Sequence, residues 1–555
     1  MSEDKRFGGV IGSHSSAILV AVITIICLSP FLNKAFHVDD PLFIWVAKHI
    51  QGNPLNFYGF LVNWFGLETT MAAATMNPPG ACFYIALMGW LFGWSEIAMH
   101  AAFLIPAVAA SVGTYYLARM FCSRPMFAAL AAVLTPGFLV SSTNIMCDTM
   151  MLAFWVWAVF FWIKGLESNS LLNLVFAAFL IAVCALTKYF GMTLLPLLGV
   201  YALIKRRRPG YWTLALLIPI VVLAEYQWLT HSLYGRGLLL NAAAYATCFN
   251  WADGMNQLTK GFIGLLFTGG CVVTVLFYSP LLWPRRVFIS GVVLTIALMV
   301  GLSFIENLGK ASVSSADSIR WGFLVQVGLM AATGACILGL AGVDLLEFRN
   351  AESILLLLWV YGTFVFAGFI NWTVNARSVL PMIPAAGILL MRRMDMRDDK
   401  TARVMRSWRQ LCWPLIPSAL MAIMVCWADY ALAGSARTAA TTISNKFGDS
   451  GQTVWFQGHW GFQYYMELAG CKAADLTNPE YSPGDIMILP TNNTNVKALP
   501  EKKAYQDGIL RFTACRRLAT INRQLGAGFY SDVWGPLPFV AGPVGPEEYY
   551  VFIMK

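Results

Sequence analysis

Charge is what this chain has least of. Asp, Glu, Lys and Arg make up 12% of its 555 residues, where soluble domains carry about 25%. With 58% apolar residues and a mean hydropathy of +0.62, a soluble globular protein is excluded and a polytopic membrane protein is implied. Other absences narrow the chemistry. There is no P-loop, no Gly-x-Gly-x-x-Gly ahead of a helix, no nucleophile elbow and no His/Cys/Glu cluster at metal-ligand spacing, so the familiar nucleotide, hydrolase and metal signatures are missing. No internal repeat is visible, which counts against transporters built from duplicated halves. The net charge of +9 does not point to nucleic acid, because the basic residues sit where membrane topology needs them.

Apolar windows of roughly 20 residues recur from residue 16 to residue 433, among them 126–143, 171–187 and 189–204, and predict about 13 transmembrane helices. The first run, Ala17 to Phe31, ends in Pro30 and Phe31 where a cleavage site would need small residues, so it reads as a retained anchor. Lys5 and Arg6, Arg119 and Arg124, Lys164, Lys205 to Arg208, Arg285 and Arg286, Arg349, and the cluster from Arg392 to Arg409 occupy alternate loops. Those loops are expected to be cytoplasmic. The opposite loops, around 34 to 96, 142 to 148, 231 to 258, 306 to 321 and 371 to 377, are poor in Lys and Arg. An odd number of spans then places the N-terminus in the cytoplasm and everything after Tyr430 outside an inner (plasma) membrane.

Hydropathy stops near Tyr430, which divides the chain into an all-α transmembrane domain, residues 1–433, and a small α/β domain, 434–555, on the non-cytoplasmic side. In the latter, strands are expected at Thr453 to Phe456, Asp485 to Leu489, Ile509 to Ala514 and Glu548 to Ile553, with a helix at Gln463 to Ala469. Of the twelve cysteines, Cys471 and Cys515 fall in this outer domain and could pair in an oxidising compartment. The first outer loop, 34 to 96, is long for a connection without a task. It carries a helix opened by Pro41, an aromatic stretch from Asn56 to Leu67 expected to lie helically in the interface, and an interfacial run from Ala81 to Trp94.

Carboxylates at the lip of such a protein need a reason. Asp40 before Pro41 has the pattern of a helix N-cap and is otherwise a catalytic candidate beside Asp39, which the cap reading leaves without a structural duty and which is the general-base candidate. Asp148 opens a later span on the same side, either as a cap or as a second carboxylate that orients an acceptor or helps hold a divalent metal through oxygen. His37 stands beside the acidic pair, as a ligand or an interfacial residue, and with Asn77 is a candidate for positioning the acceptor or the loop. Lys188 and Arg377 are scarce cations at outer span ends, able to snorkel to headgroups or to grip a phosphate.

Taken in order, these elements resemble a family. The acidic pair in a long first outer loop, Asn77-Pro78-Pro79, Met146-Cys147-Asp148-Thr149-Met150, Leu186-Thr187-Lys188, and Arg377 leading into Leu380-Pro381-Met382-Ile383-Pro384 resemble the family 39 glycosyltransferases of the GT-C fold. That group includes protein O-mannosyltransferases and aminoarabinose transferases. The segment Gly458-His459-Trp460-Gly461-Phe462-Gln463-Tyr464-Tyr465 is similar to the C-terminal domain of bacterial members. The resemblance implies Asp39 as catalytic aspartate, Asp148 as a second acidic residue near it, and Lys188 and Arg377 facing a donor phosphate. Asn77 stands where the aminoarabinose transferases have a lysine, and Leu42 where they have an arginine, which leaves the sugar and acceptor open.

Nucleotide sugars are cytoplasmic, so transfer on the outer face implies a polyprenyl-phosphate-linked donor. The expected activity is inverting transfer of its sugar to a hydroxyl on a lipid, glycan or protein acceptor. A divalent metal is a possible cofactor. The competing expectation is a multi-span transporter or flippase for a lipid-linked or small polar substrate, for which Glu225 would be the mid-membrane ionisable residue.

Overall fold

The computed structural model describes residues 4–248, 256–315, 318–401, 408–448 and 450–555. Among the described residues, eight helices are long and apolar enough to cross a membrane: His14–Phe31, Glu96–Ala118, Cys147–Glu167, Tyr211–Tyr234, Arg285–Leu302, Trp321–Phe348, Ala351–Ile370 and Trp408–Phe447. Two further apolar stretches are bent. Pro125–Val133 and Pro136–Ser142 meet at 65°, and Gln257–Cys271 and Thr274–Leu282 at 86°, which raises the count to ten if each pair is one span. The first bend has a local cause, since Pro136 cannot continue the preceding ladder and Thr135 caps the new helix by accepting from the Phe138 N–H at 3.3 Å. Windows expected as full spans near 171–187 and 189–204 are shorter helices, Leu171–Thr187 and Leu194–Arg206, broken at Lys188. The protein is a multi-pass membrane protein.

The connecting segments sort into two ends. At one, Arg124 pairs with Asp395 at 3.2 Å and Asp398 at 2.5 Å, Arg392 with Asp344 at 2.7 Å and Lys205 with Glu352 at 2.5 Å. At the other, the sparsely charged segments meet the C-terminal domain: Phe36 N–H donates to Tyr465 Oη at 2.8 Å, Asn63 to the Ala474 carbonyl, Arg320 to the Leu525 carbonyl and Ala376 N–H to the Phe529 carbonyl. The basic segments around Arg124, Lys205 and Arg392 thus gather in one group of contacts, and the basic-poor segments around 34–96, 306–321 and 371–377 meet the C-terminal domain in another.

The C-terminal domain is built on a five-stranded sheet. Its strands are β1 (Val454–Phe456), β2 (Lys472–Ala473), β3 (Ile486–Pro490), β4 (Ala504–Phe512) and β5 (Glu547–Met554), in the order β4-β5-β3-β1-β2. β1 runs parallel to β2 and β3, and the remaining pairs are antiparallel. The helix Trp460–Leu468 connects β1 to β2, the crossover that a parallel pair demands. The expected strands are all present within a few residues of their anticipated bounds, while Cys471 and Cys515 are free thiols. Gly461 sets the docking of this domain, because a Cβ there would lie 1.9 Å from the Phe36 carbonyl oxygen.

The first outer loop departs from expectation in its middle. Asn56 to Leu67 forms turns and one strand of a short hairpin, Leu61–Asn63 with Glu68–Thr70, where an interfacial helix was expected. Gly66, at φ +74°, provides a left-handed turn that a helix cannot absorb. The flanking helices, Asp40–Gly52 and Gly80–Phe92, form as the sequence implies.

Candidate active site

Four segments far apart in sequence meet at the end capped by the C-terminal domain. Asp39 precedes the helix Asp40–Gly52 and pairs with Arg377 through Oδ2 and Nη1 at 2.8 Å. Arg377 lies in the short helix Ala376–Val379, capped by Asn375, whose Oδ1 accepts from the Ser378 N–H at 2.8 Å. Arg377 Nη1 is also 2.9 Å from Met146 Sδ, two residues before Asp148. Asp148 lies in the first turn of Cys147–Glu167, where the helix dipole favours a carboxylate, and is hydrogen-bonded by Lys188 Nζ. Two carboxylates and two cations thus form one alternating cluster.

Accessibility divides the four. Asp148 is closed off at 2% side-chain exposure, whereas Lys188, Arg377 and Asp39 keep 21%, 18% and 25%. Burial works against the charge on Arg377, but Asp39 and then Asp148 outweigh it and hold the guanidinium above its ordinary range. The cation stays charged, with donors beyond the one given to Asp39.

Asp40 does not cap its helix. The helix begins at Asp40 itself, with Asp39 in the N-cap position and making no side-chain cap bond. The fully buried Asp40 carboxylate faces the opposite way: Oδ2 accepts from the His37 N–H and Oδ1 from the Ile145 N–H, each at 2.8 Å. It ties the first outer loop to the turn ahead of Asp148. Burial raises its pKa to about 7, against the pull of Lys34 and then of those two N–H donors.

Asn77 comes within reach of the same corner. Its Oδ1 accepts a long contact of 3.6 Å from Cys147 Sγ, and its carbonyl accepts from Tyr58 Oη at 2.7 Å. A Cβ on Gly80 would lie 2.5 Å from the Leu186 carbonyl oxygen, so glycine lets the Asn77-Pro78-Pro79-Gly80 turn press on the strand-like link that presents Lys188.

His37 belongs to a second, deeper cluster that sequence reasoning missed. Lys34 Nζ donates to Asp429 Oδ2 at 2.6 Å and Asn144 Oδ1 at 2.7 Å, and both members of the ion pair have no exposed side-chain surface. Asp429 also accepts from Tyr530 Oη and Thr520 Oγ1, each at 2.7 Å, while His37 Nε2 lies 3.6 Å from Asp429 Oδ1. Burial lowers the His37 pKa below the ordinary histidine value despite the pull of Asp429. The Tyr530 ring stands 5.4 Å from His37 and lies 5.7 Å below the Arg377 guanidinium. A signal existed, since Asp429 interrupts the last apolar run, and an ionisable residue at that depth marks function or a partner. Glu225, the residue expected in that role, is exposed on Tyr211–Tyr234.

Among the described residues, no group of three or more His, Cys, Asp or Glu is placed to hold a metal ion. Asp39 and Asp148 each face a cation of the chain.

The fold is a bundle of membrane helices whose long first outer loop meets a C-terminal sheet domain. Residues 76–228 match the sequence model of the family described as dolichyl-phosphate-mannose-protein mannosyltransferase, a segment that holds Asn77, Asp148 and Lys188 but neither Asp39 nor Arg377. Among solved structures the chain is similar to the archaeal oligosaccharyltransferase AglB from Archaeoglobus fulgidus, in complex with an inhibitory peptide and a dolichol-phosphate. The TM-score is 0.50 at 13% identity, over 85% of this chain and 65% of that one. It is also similar to ArnT from Cupriavidus metallidurans bound to undecaprenyl phosphate, with TM-score 0.49 and 12% identity over 87% of this chain and 93% of that one. The chain thus spans 65% of the length of the archaeal enzyme. No curated protein sequence gives a significant match. The resemblance to family 39 glycosyltransferases of the GT-C fold is borne out by the matched segment and by the fold.

Proposed function

We propose that this protein is a membrane glycosyltransferase that moves a sugar from a polyprenyl-phosphate-linked donor to an acceptor hydroxyl on the non-cytoplasmic face, with inversion. The observation that carries the proposal is the alternating cluster of Asp39, Arg377, Asp148 and Lys188, three of whose members remain reachable from outside. Asp39 accepts the proton of the acceptor hydroxyl as its oxygen attacks the anomeric carbon. The bond to the phosphate oxygen breaks on the opposite face, and Lys188 and Arg377 meet the charge left on the polyprenyl phosphate. In the resting state the carboxylates occupy both cations, which keeps the charges compensated until a phosphate competes for the free donors of the guanidinium. Asp148 sets the position of Lys188, Asp40 and Asn77 hold the loops, and His37 packs beneath.

The dolichol-phosphate and undecaprenyl phosphate named with the two similar structures are of the donor chemistry required. The test supplies purified protein with a panel of polyprenyl-phosphate sugars and measures acceptor-dependent release of polyprenyl phosphate. Movement of a lipid-linked sugar across vesicles without release would overturn the proposal in favour of a flippase.

A further inference from the structure

The C-terminal domain contains a cavity of about 840 Å³ that the chemistry above does not use. Its size falls in the range of roughly 300–1,000 Å³ that holds small organic ligands. It opens over the face of β3 and β5, neighbouring strands of the sheet, whose backbone groups are already paired with each other from Ile486↔Ile553 to Pro490↔Tyr549. An extended peptide could not add to them, because strand addition needs a free edge. Recognition in this cavity must come from side chains.

Those side chains have a distinctive make-up. Trp534 and Tyr550 provide aromatic surface, and Trp534 is held by Trp460 with ring centroids 5.4 Å apart. Arg523 and Gln524 are exposed, and neither side chain has a hydrogen-bond partner among the described residues. Glu547 is 8% exposed. Its Oε1 accepts from Asn492 Nδ2 at 3.2 Å, and its Oε2 has no partner among the described residues. Asn492, with its amide spent on Glu547 and on the Ile521 carbonyl, keeps its Oδ1 as an acceptor. A flat apolar face bordered by amides, a guanidinium and a carboxyl suits a ligand with a C–H face and a rim of hydroxyls. Each hydroxyl donates and accepts at once, which matches a border that offers both.

Asn492 and Glu547 also line a small pocket of about 30 Å³ that reaches His37, two residues before Asp39. The cavity therefore stands against the loop that carries the proposed base. We infer that it binds an oligosaccharide, the glycan portion of the acceptor, with the pyranose faces on Trp534 and Tyr550. This rests on the transferase proposal only for the name acceptor.

Full-length protein in detergent is titrated with three probes, hexasaccharides of glucose, mannose and N-acetylglucosamine, and with a Ser/Thr-rich decapeptide, by saturation-transfer NMR and tryptophan fluorescence. At least one hexasaccharide is expected to bind, with affinity lowered about tenfold or more by Trp534→Ala, since an aromatic contact of this kind is worth about that factor, and lowered also by Gln524→Ala. Asp39→Asn is expected to bind it as the native chain does, which separates a failure of this inference from a failure of the transferase proposal. Binding of the decapeptide alone, no hexasaccharide bound at millimolar concentration, or binding indifferent to both cavity variants would each overturn it.

Discussion

Arg377 and Asp39 are separated by 338 residues, yet the guanidinium meets the carboxylate at 2.8 Å. The pair joins a proposed base to a proposed phosphate ligand, so each can be removed with a distinct signature. Asp39→Asn keeps the shape but cannot take a proton. Transfer from a polyprenyl-phosphate donor is expected to fall by the roughly 10²- to 10⁴-fold typical of a lost general base, with a normal elution profile in detergent. Near-native turnover by this variant would remove Asp39 from the mechanism.

Arg377→Lys keeps the charge and loses the fork. It is expected to raise the donor KM more than the acceptor KM and to retain part of the activity that Arg377→Ala loses. Equal small effects on both substrates would mean that Arg377 serves only to anchor its loop.

Asp40 gives a prediction opposite to that of a cap. A capping Asp tolerates Asn, but this carboxylate accepts two backbone N–H groups with its two oxygens. Asp40→Asn must turn its amide toward one of them and leave a buried donor unpaired, at about 1–3 kcal/mol. Thermal unfolding in detergent measures the loss. The pH dependence has a definite sign. With the folded-state pKa near 7 and an unfolded value of about 3.9, the unfolded chain ionises first, so Asp40's contribution makes stability fall from pH 4 to pH 7 and level off above it. The variant should lack that slope.

The Lys34–Asp429 pair has no exposed side-chain surface. Removing one partner strands the other as a buried charge, a loss of about 3–5 kcal/mol. Lys34→Met and Asp429→Leu should each lower the melting temperature strongly, and the double variant should recover part of the loss. Strictly additive effects in this cycle would show that the pair is not coupled.

Orientation is tested by fusion. A reporter that works only outside is expected to be active after Lys555 and silent after Arg208, following the basic loops. Activity at Arg208 would invert the assignment of both ends.

The legible parts of the molecule were those written in local pattern. Short strand-like runs punctuated by turn residues placed β1, β3, β4 and β5, and basic residues sorted the loops into two groups. Asp39, Asp148, Lys188 and Arg377 were legible singly, as charged residues at the ends of apolar runs. Their pairing was not, because it depends on how four segments close around one another. Asp40 was misjudged for the same reason, since its partner Ile145 is 105 positions away. The span near 126–143 looked continuous because composition hides a Pro136 bend. Tyr530, Thr520 and Lys34 carried no local mark at all, and only Asp429 broke its apolar surroundings visibly enough to have been found.

The threading of residues 520 to 532 back to the membrane domain has a consequence for biogenesis. Thr520 and Tyr530 satisfy Asp429, and Asp532 accepts from the Val374 N–H beside the Arg377 helix. These contacts come from a stretch that follows the membrane helices of the described residues, the last of which ends at Phe447. During synthesis the helices enter the bilayer while Arg377 still lacks the ring beneath it and Asp429 two of its hydrogen bonds. The proposed catalytic corner is therefore completed only after the membrane helices that frame it, and a chain cut before Thr520 is expected to insert without gaining transfer activity.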